Sequence, residues 1–163
     1  MLPTIISSSR GSRFWLNAWL PVVVGVAVIA LESTEILGAD HTSGPLRLLF
    51  QAIFGPVSNA HWEILHSLVR KSGHFLGYGA IGLTWLRALK LTLPHSRLIE
   101  DSVLALIGTA LVASADEYHQ AFLPNRTGSP WDVLLDCCGV IALQLAVYVS
   151  MRLFRPKSLA QAA

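Results

Sequence analysis

The sequence predicts an all-α, polytopic membrane protein: a bundle of four transmembrane helices with a short interfacial or re-entrant segment between helices 1 and 2. Three observations carry this expectation. Hydrophobic residues make up 53% of the chain and charged ones 13%, against about 45–50% and about 25% in a soluble domain. Four apolar runs, residues 14–36, 73–91, 98–122 and 131–154, each approach or exceed the roughly 20 residues that cross the hydrocarbon. The polar residues that break the pattern cluster at the ends of those runs. At 163 residues one domain, 1–163, is expected, and any chemistry must sit within or beside the membrane.

The first run follows Arg10 and Arg13 and resembles a signal peptide in outline. Its length, the interfacial Trp15 and Trp19, and the lack of a clean small-residue cleavage site before Glu32 favour a retained helix. Between the first two runs, Gly44-Pro45 and Gly55-Pro56 act as breakers around Leu46-Arg47-Leu48-Leu49-Phe50, the short interfacial or re-entrant piece. The fourth run opens on Ser129-Pro130-Trp131-Asp132, a strong helix start: Ser129 as N-cap, proline in the first turn, and an acid favoured by the helix dipole.

Basic residues set the expected orientation. Arg10, Arg13, Arg87, Lys90, Arg97, Arg152, Arg155 and Lys157 fall on one side of a four-span chain, and Arg47, Arg70, Lys71 and Arg126 on the other. The larger group marks the cytoplasm, so both termini are expected there, in a plasma membrane. The formal net charge is only +2 and no basic block is interleaved with aromatics, which argues against a nucleic-acid partner. Cys137 and Cys138 are adjacent within an apolar run. A bridge between neighbours would be strained, so they read as packing residues.

In an up-and-down arrangement the end of helix 1, the start of helix 2, the end of helix 3 and the start of helix 4 share one side. The unusual polar residues occur at those four places: Glu32 and Glu35, then Lys71 and His74, then residues 116–120, then Asp132 and Asp136. Lys71, His74 and Tyr78 stand at i, i+3 and i+7, one helix face. Asp116 and Gln120 share a face at i, i+4, while Glu117 is turned about 100° away, and His119 is placed to partner Asp116. Asp136 lies about 6 Å deeper than Asp132, beyond the reach of a capping explanation. Structural roles compete at each position: Lys71 as a snorkelling cation, Tyr78 as an interfacial packer, Asp132 as a helix-start acid, and Asp116 with Glu117 as ion-pair partners of Arg126 and Lys71. Charge buried in a membrane is costly enough that a functional reading of the set is the natural one.

The ordered series Lys71-x-x-His74-Phe75-x-x-Tyr78, Asp116-Glu117-x-x-Gln120-x-Phe122-x-Pro124-x-Arg126, Asp132 and Gly139 resembles the signature of the VanZ-like family of small bacterial membrane proteins. It covers roughly residues 71–139. Asn125 stands where that family usually has glycine, and Asp136 where it usually has asparagine. The second change adds a carboxylate to the polar face. The family is named for a protein that confers low-level resistance to the glycopeptide antibiotic teicoplanin, so the resemblance implies the cell envelope and antibiotic resistance more than a reaction.

Two functional expectations follow. In the first, a polar pocket at the outer face binds or masks an amphiphilic membrane lipid or lipid-linked cell-wall precursor. Lys71, Tyr78, Gln120, Arg126, Asp132 and Asp136 then contact the head group. In the second, the protein is a membrane hydrolase or transferase in which His74, Asp116 and Glu117 supply acid–base catalysis. No stretch has a recognised metal spacing, so no metal ligand is assigned, although imidazole and carboxylate suit Mn²⁺ or Zn²⁺. No cofactor is specified. A proton-coupled transporter is disfavoured because the polar groups gather at one face, and Gly77, Gly79 and Gly82 leave room for close contact in a homodimer.

Overall fold

The computed structural model describes residues 10–34, 39–93, 95–124 and 126–154. They form five helices: α1 (Ser12–Glu32), α2 (Ala39–Phe54), α3 (Asn59–Thr92), α4 (Leu98–Gln120) and α5 (Pro130–Leu153). There is no strand among the described residues. Three helices, α1, α4 and α5, are long and apolar enough to cross a membrane. Their outer faces leave Leu16, Leu20, Val23, Val24, Ile99, Leu111, Leu134 and Leu145 exposed, an apolar area that only lipid or a partner would tolerate.

The predicted first, third and fourth runs correspond to α1, α4 and α5 within a few residues. The region before the second run differs. The expected span 73–91 is the C-terminal part of a 34-residue helix that begins at Asn59. Ser58 starts it early, its hydroxyl accepting the His61 N–H at 3.3 Å. Two arginines, two lysines and three histidines along α3 make it more polar than the other long helices. The short apolar piece lies within a 16-residue helix, α2, that runs through Gly44-Pro45. Proline there forgoes one intrahelical bond without stopping the helix. Gly55, at φ +86°, is the effective breaker between α2 and α3.

The C-terminal part of α3 is the hub, touching α1, α4 and α5. Lipid gives helices little hydrophobic reason to associate, so small residues that let backbones approach carry the packing. A Cβ on Gly79 would lie 2.8 Å from the Gly139 carbonyl oxygen, and one on Gly82 2.6 Å from Val140. On the other side Gly25 of α1 meets Ile81, and Gly108 of α4 meets the Trp85 ring. Gly79 and Gly82 therefore serve contacts within the chain, on a face that α5 occupies. Ile29, Tyr78, Ile81 and Ala113 form the buried cluster at the centre. The early part of α3 holds α2 instead, through Trp62 Nε1 donating to the Ser43 hydroxyl at 2.7 Å.

Candidate functional site

The end of α1, the start of α2, the middle of α3 and the end of α4 converge around a cavity of about 460 Å³. One stripe of α3 lines it: Arg70, Gly73, His74, Gly77, Tyr78 and Ile81. The His74 and Tyr78 rings stack with centroids 5.9 Å apart, as i, i+4 neighbours do. Tyr78 Oη donates to Asp116 Oδ2 at 2.9 Å, and Gln120 Nε2 donates to the same oxygen at 2.9 Å. Asp116 Oδ1 is buried and has no hydrogen-bond partner among the described residues. Asp116 is 8% exposed and Glu117 5%.

Glu117 faces away from Tyr78, as the helical angle requires, and its Oε2 accepts the Ser129 backbone N–H at 2.7 Å. That bond ties the end of α4 to the start of α5, and Gly128 is packed so closely against the Glu117 carbonyl that a side chain would collide with it. Ser129 caps α5, its hydroxyl accepting from Trp131 N–H. Asp136, a turn inside α5 and 0% exposed, brings Oδ1 to 3.5 Å from His74 Nδ1. One ligand-capable atom from each of His74, Asp116 and Glu117 lies within 4.8 Å of the others. Carboxylates from two helices and an imidazole from a third thus meet in a space that opens on the cavity.

Arg126 sits on the cavity wall. Its Nη2 donates to the carbonyls of Glu32 at 2.7 Å and Thr34 at 3.2 Å, and its Nη1 to Gln120 Oε1 at 3.4 Å. A cation at the C-terminal end of α1 satisfies carbonyls that the helix leaves orphaned and meets the negative end of its dipole. The expected pairing of Arg126 with Asp116 or Glu117 is replaced by this backbone clamp and by Gln120. His119 is likewise not Asp116's partner: it is exposed and its Nδ1 lies 3.1 Å from Ser33 Oγ.

Lys71 is exposed and does not line the cavity. Its neighbour Arg70, half-buried, is instead the α3 cation on the cavity wall, and it is outside the expected site set. Its place four residues before His74 was the available signal. Asp132 is half-buried in the first turn of α5 and is not among the cavity-lining residues. Ser33 of α1's end and Thr42 of α2 also line the cavity, and neither belongs to a motif that sequence spacing would single out. Glu35 and Asn125 lie outside the described residues, as do Arg155 and Lys157. Cys137 is half-buried, Cys138 is exposed and both are free thiols.

Residues 18–153 match the model of the VanZ/LLP1 family, so the match covers α2 to α5 and most of α1. The chain belongs to the VanZ/LLP1 family. Together with its three long apolar helices, this makes it a membrane protein of the VanZ type. No curated protein and no solved structure matches it. In this VanZ-type chain His74, Tyr78, Asp116 and Gln120 stand together on the cavity, and Asp136 sits behind His74.

Proposed function

We propose that this VanZ-type protein binds the head group of an anionic or glycosylated membrane amphiphile at the outer face of a bacterial plasma membrane, and by masking it alters glycopeptide susceptibility. The observation that carries the reading is the two-sided character of the cavity. Gly25, Val28, Ile29 and Ile81 give it an apolar wall, while Arg70, His74, Asp116, Gln120 and Arg126 give it a polar end. A ligand that is apolar at one end and polar at the other fits such a wall. Guanidinium groups suit phosphate, and Asp116 with Gln120 suits sugar hydroxyls or an amine.

Placement follows the same reading. In it α3 is the fourth spanning helix, both termini are cytoplasmic, and α2 lies at the outer interface with its apolar residues toward lipid. The ligand belongs to the lipids or lipid-linked cell-wall precursors of that leaflet.

One observation favours a second reading, a hydrolase or transferase acting on the same class of lipid. His74 has Asp136 on one nitrogen and two further carboxylates nearby, an arrangement that orients an imidazole for proton transfer.

A single comparison separates the two. Envelope lipids and muropeptides are profiled by mass spectrometry in cells carrying no copy, the wild type, Arg70→Ala or Glu117→Gln, with teicoplanin susceptibility recorded alongside. Lipids retained by each purified protein are identified as well. Binding predicts unchanged covalent masses, altered susceptibility with the wild type, and less lipid retained by Arg70→Ala. A covalent species that appears with the wild type and is lost in Glu117→Gln identifies an enzyme. Equal lipid retention by Arg70→Ala and the wild type would count against the binding site drawn here.

A further inference from the structure

We propose that His74, Asp116 and Glu117 form a binding site for one divalent transition-metal ion of the Mn²⁺ or Zn²⁺ class. The assignment shares His74 and Asp116 with the cavity of the lipid reading, and its test reads metal content, so the failure of one is distinguishable from the failure of the other.

The first argument is geometric. The three residues come from two helices, and one ligand-capable atom of each lies within 4.8 Å of the others. At bonds of about 2.0–2.2 Å, ligand atoms on one ion sit roughly 3–4.3 Å apart. Closing the set therefore needs torsional shifts of less than an ångström per side chain, with no movement of α3 against α4.

The second argument is what each carboxylate keeps in reserve. Asp116 gives Oδ2 to two donors, Tyr78 Oη and Gln120 Nε2. Its other oxygen is buried and has no hydrogen-bond partner among the described residues. A carboxylate more than nine-tenths buried with one unsatisfied oxygen is expensive, and a cation relieves that cost directly. Glu117 gives Oε2 to the Ser129 N–H. In both residues one oxygen is fixed by the protein, which aims the other.

The third argument is the group behind the histidine. Asp136, fully buried, places Oδ1 3.5 Å from His74 Nδ1. Carboxylates in this position hold the tautomer and ring orientation of metal-bound imidazoles and raise their basicity. With Nδ1 turned to Asp136, Nε2 is the nitrogen left for the ion. Tyr78 and Gln120 play the matching part for Asp116, so each ligand has its own supporting contact.

One imidazole and two carboxylates favour Mn²⁺ or Zn²⁺ over Ca²⁺ or Mg²⁺, which take oxygen ligands and, for Mg²⁺, retained water. Three protein ligands leave positions open. His74 and Asp116 line the cavity, so those positions face whatever occupies it.

The test uses the full chain in detergent micelles, stripped with a chelator and then dialysed against Mn²⁺, Zn²⁺, Mg²⁺ or Ca²⁺. Bound metal is counted by inductively coupled plasma mass spectrometry, and melting is followed in parallel. The wild type should retain one Mn²⁺ or Zn²⁺ per chain and melt at a higher temperature when loaded. His74→Gln and Glu117→Gln should lose at least tenfold in retention, whereas His119→Gln should match the wild type. Stoichiometric retention of only Ca²⁺ or Mg²⁺, no retention at all, or equal retention by the folded variants would overturn the assignment. Circular dichroism reports whether the variants fold. If neither does, Co²⁺ on the wild type decides: a ligand field of mixed imidazole and carboxylate character supports the site, and a spectrum matching aqueous Co²⁺ refutes it.

Discussion

The two ends of the helix assembly bury carboxylates in opposite ways. At one end Asp101 is 0% exposed and lies 2.9 Å from Lys90 Nζ, a direct ion pair between the start of α4 and the end of α3. Around it Arg87 donates to Asn17 at 2.8 Å and Trp19 packs edge-on against Trp85. At the other end Asp136 faces an imidazole at 3.5 Å, and Asp116 leans on a phenol and an amide. The first end is a closed lock between helices. The second gathers three buried carboxylates beside a cavity, and among the described residues none of the three makes an ion pair with a lysine or arginine. Buried charge does not by itself mark a functional site: what differs is whether the protein neutralises the charge or leaves that to something else.

Changes at the two ends should separate this contrast. The largest effect is expected from Lys90→Met, which strands Asp101. Removing one partner of a buried pair costs about 3–5 kcal/mol, and the low end, about 3, applies because the lysine side chain keeps 39% exposure. Chemical unfolding in detergent measures it, and the double variant Lys90→Met with Asp101→Leu should recover most of the loss. A double variant as unstable as the single would mean that the pair is not what holds these helix ends.

Tyr78→Phe comes next. It deletes one hydrogen bond to Asp116 while keeping the ring stacked on His74, for an expected loss of about 1 kcal/mol. A loss matching that of Lys90→Met would make the polar end as structural as the other. The smallest effect is expected from Asp136→Asn. The amide keeps an acceptor for His74 and removes one of three buried carboxylates, so the melting temperature should stay level or rise. A marked fall would show that His74 and Asp136 form a lock like Lys90 and Asp101, and the contrast would fail.

Much of this was legible in the sequence, for identifiable reasons. Apolar run length located α1, α4 and α5, and the start signal Ser129-Pro130 located the first turn of α5. Helical angles put Asp116 with Gln120 and turned Glu117 toward a different neighbour. The misses have causes too. The start of α3 was hidden because a Ser58 cap is weak beside the Gly-Pro pairs around it, one of which lies inside α2. Lys71 shares an angular position with Tyr78, yet the residue that reaches the wall is Arg70. Angle alone does not say how far the neighbouring helices extend. Arg126 turned to backbone carbonyls, partners that a pattern of side chains never displays. The Lys90–Asp101 pair leaves no sequence signal, because each residue reads as an ordinary helix-end charge.

The length of α3 has a consequence outside the site. Its 34 residues rise about 50 Å, whereas the hydrocarbon is about 30 Å thick. In the placement proposed above, with α3 upright in the bilayer, the helix overhangs the hydrocarbon by some four turns, and its first turns, with α2 held against them, form a small awning at the outer interface beside the cavity. A ligand would then be met first by a porch built from the same helix that carries His74, with no loop between the porch and the imidazole.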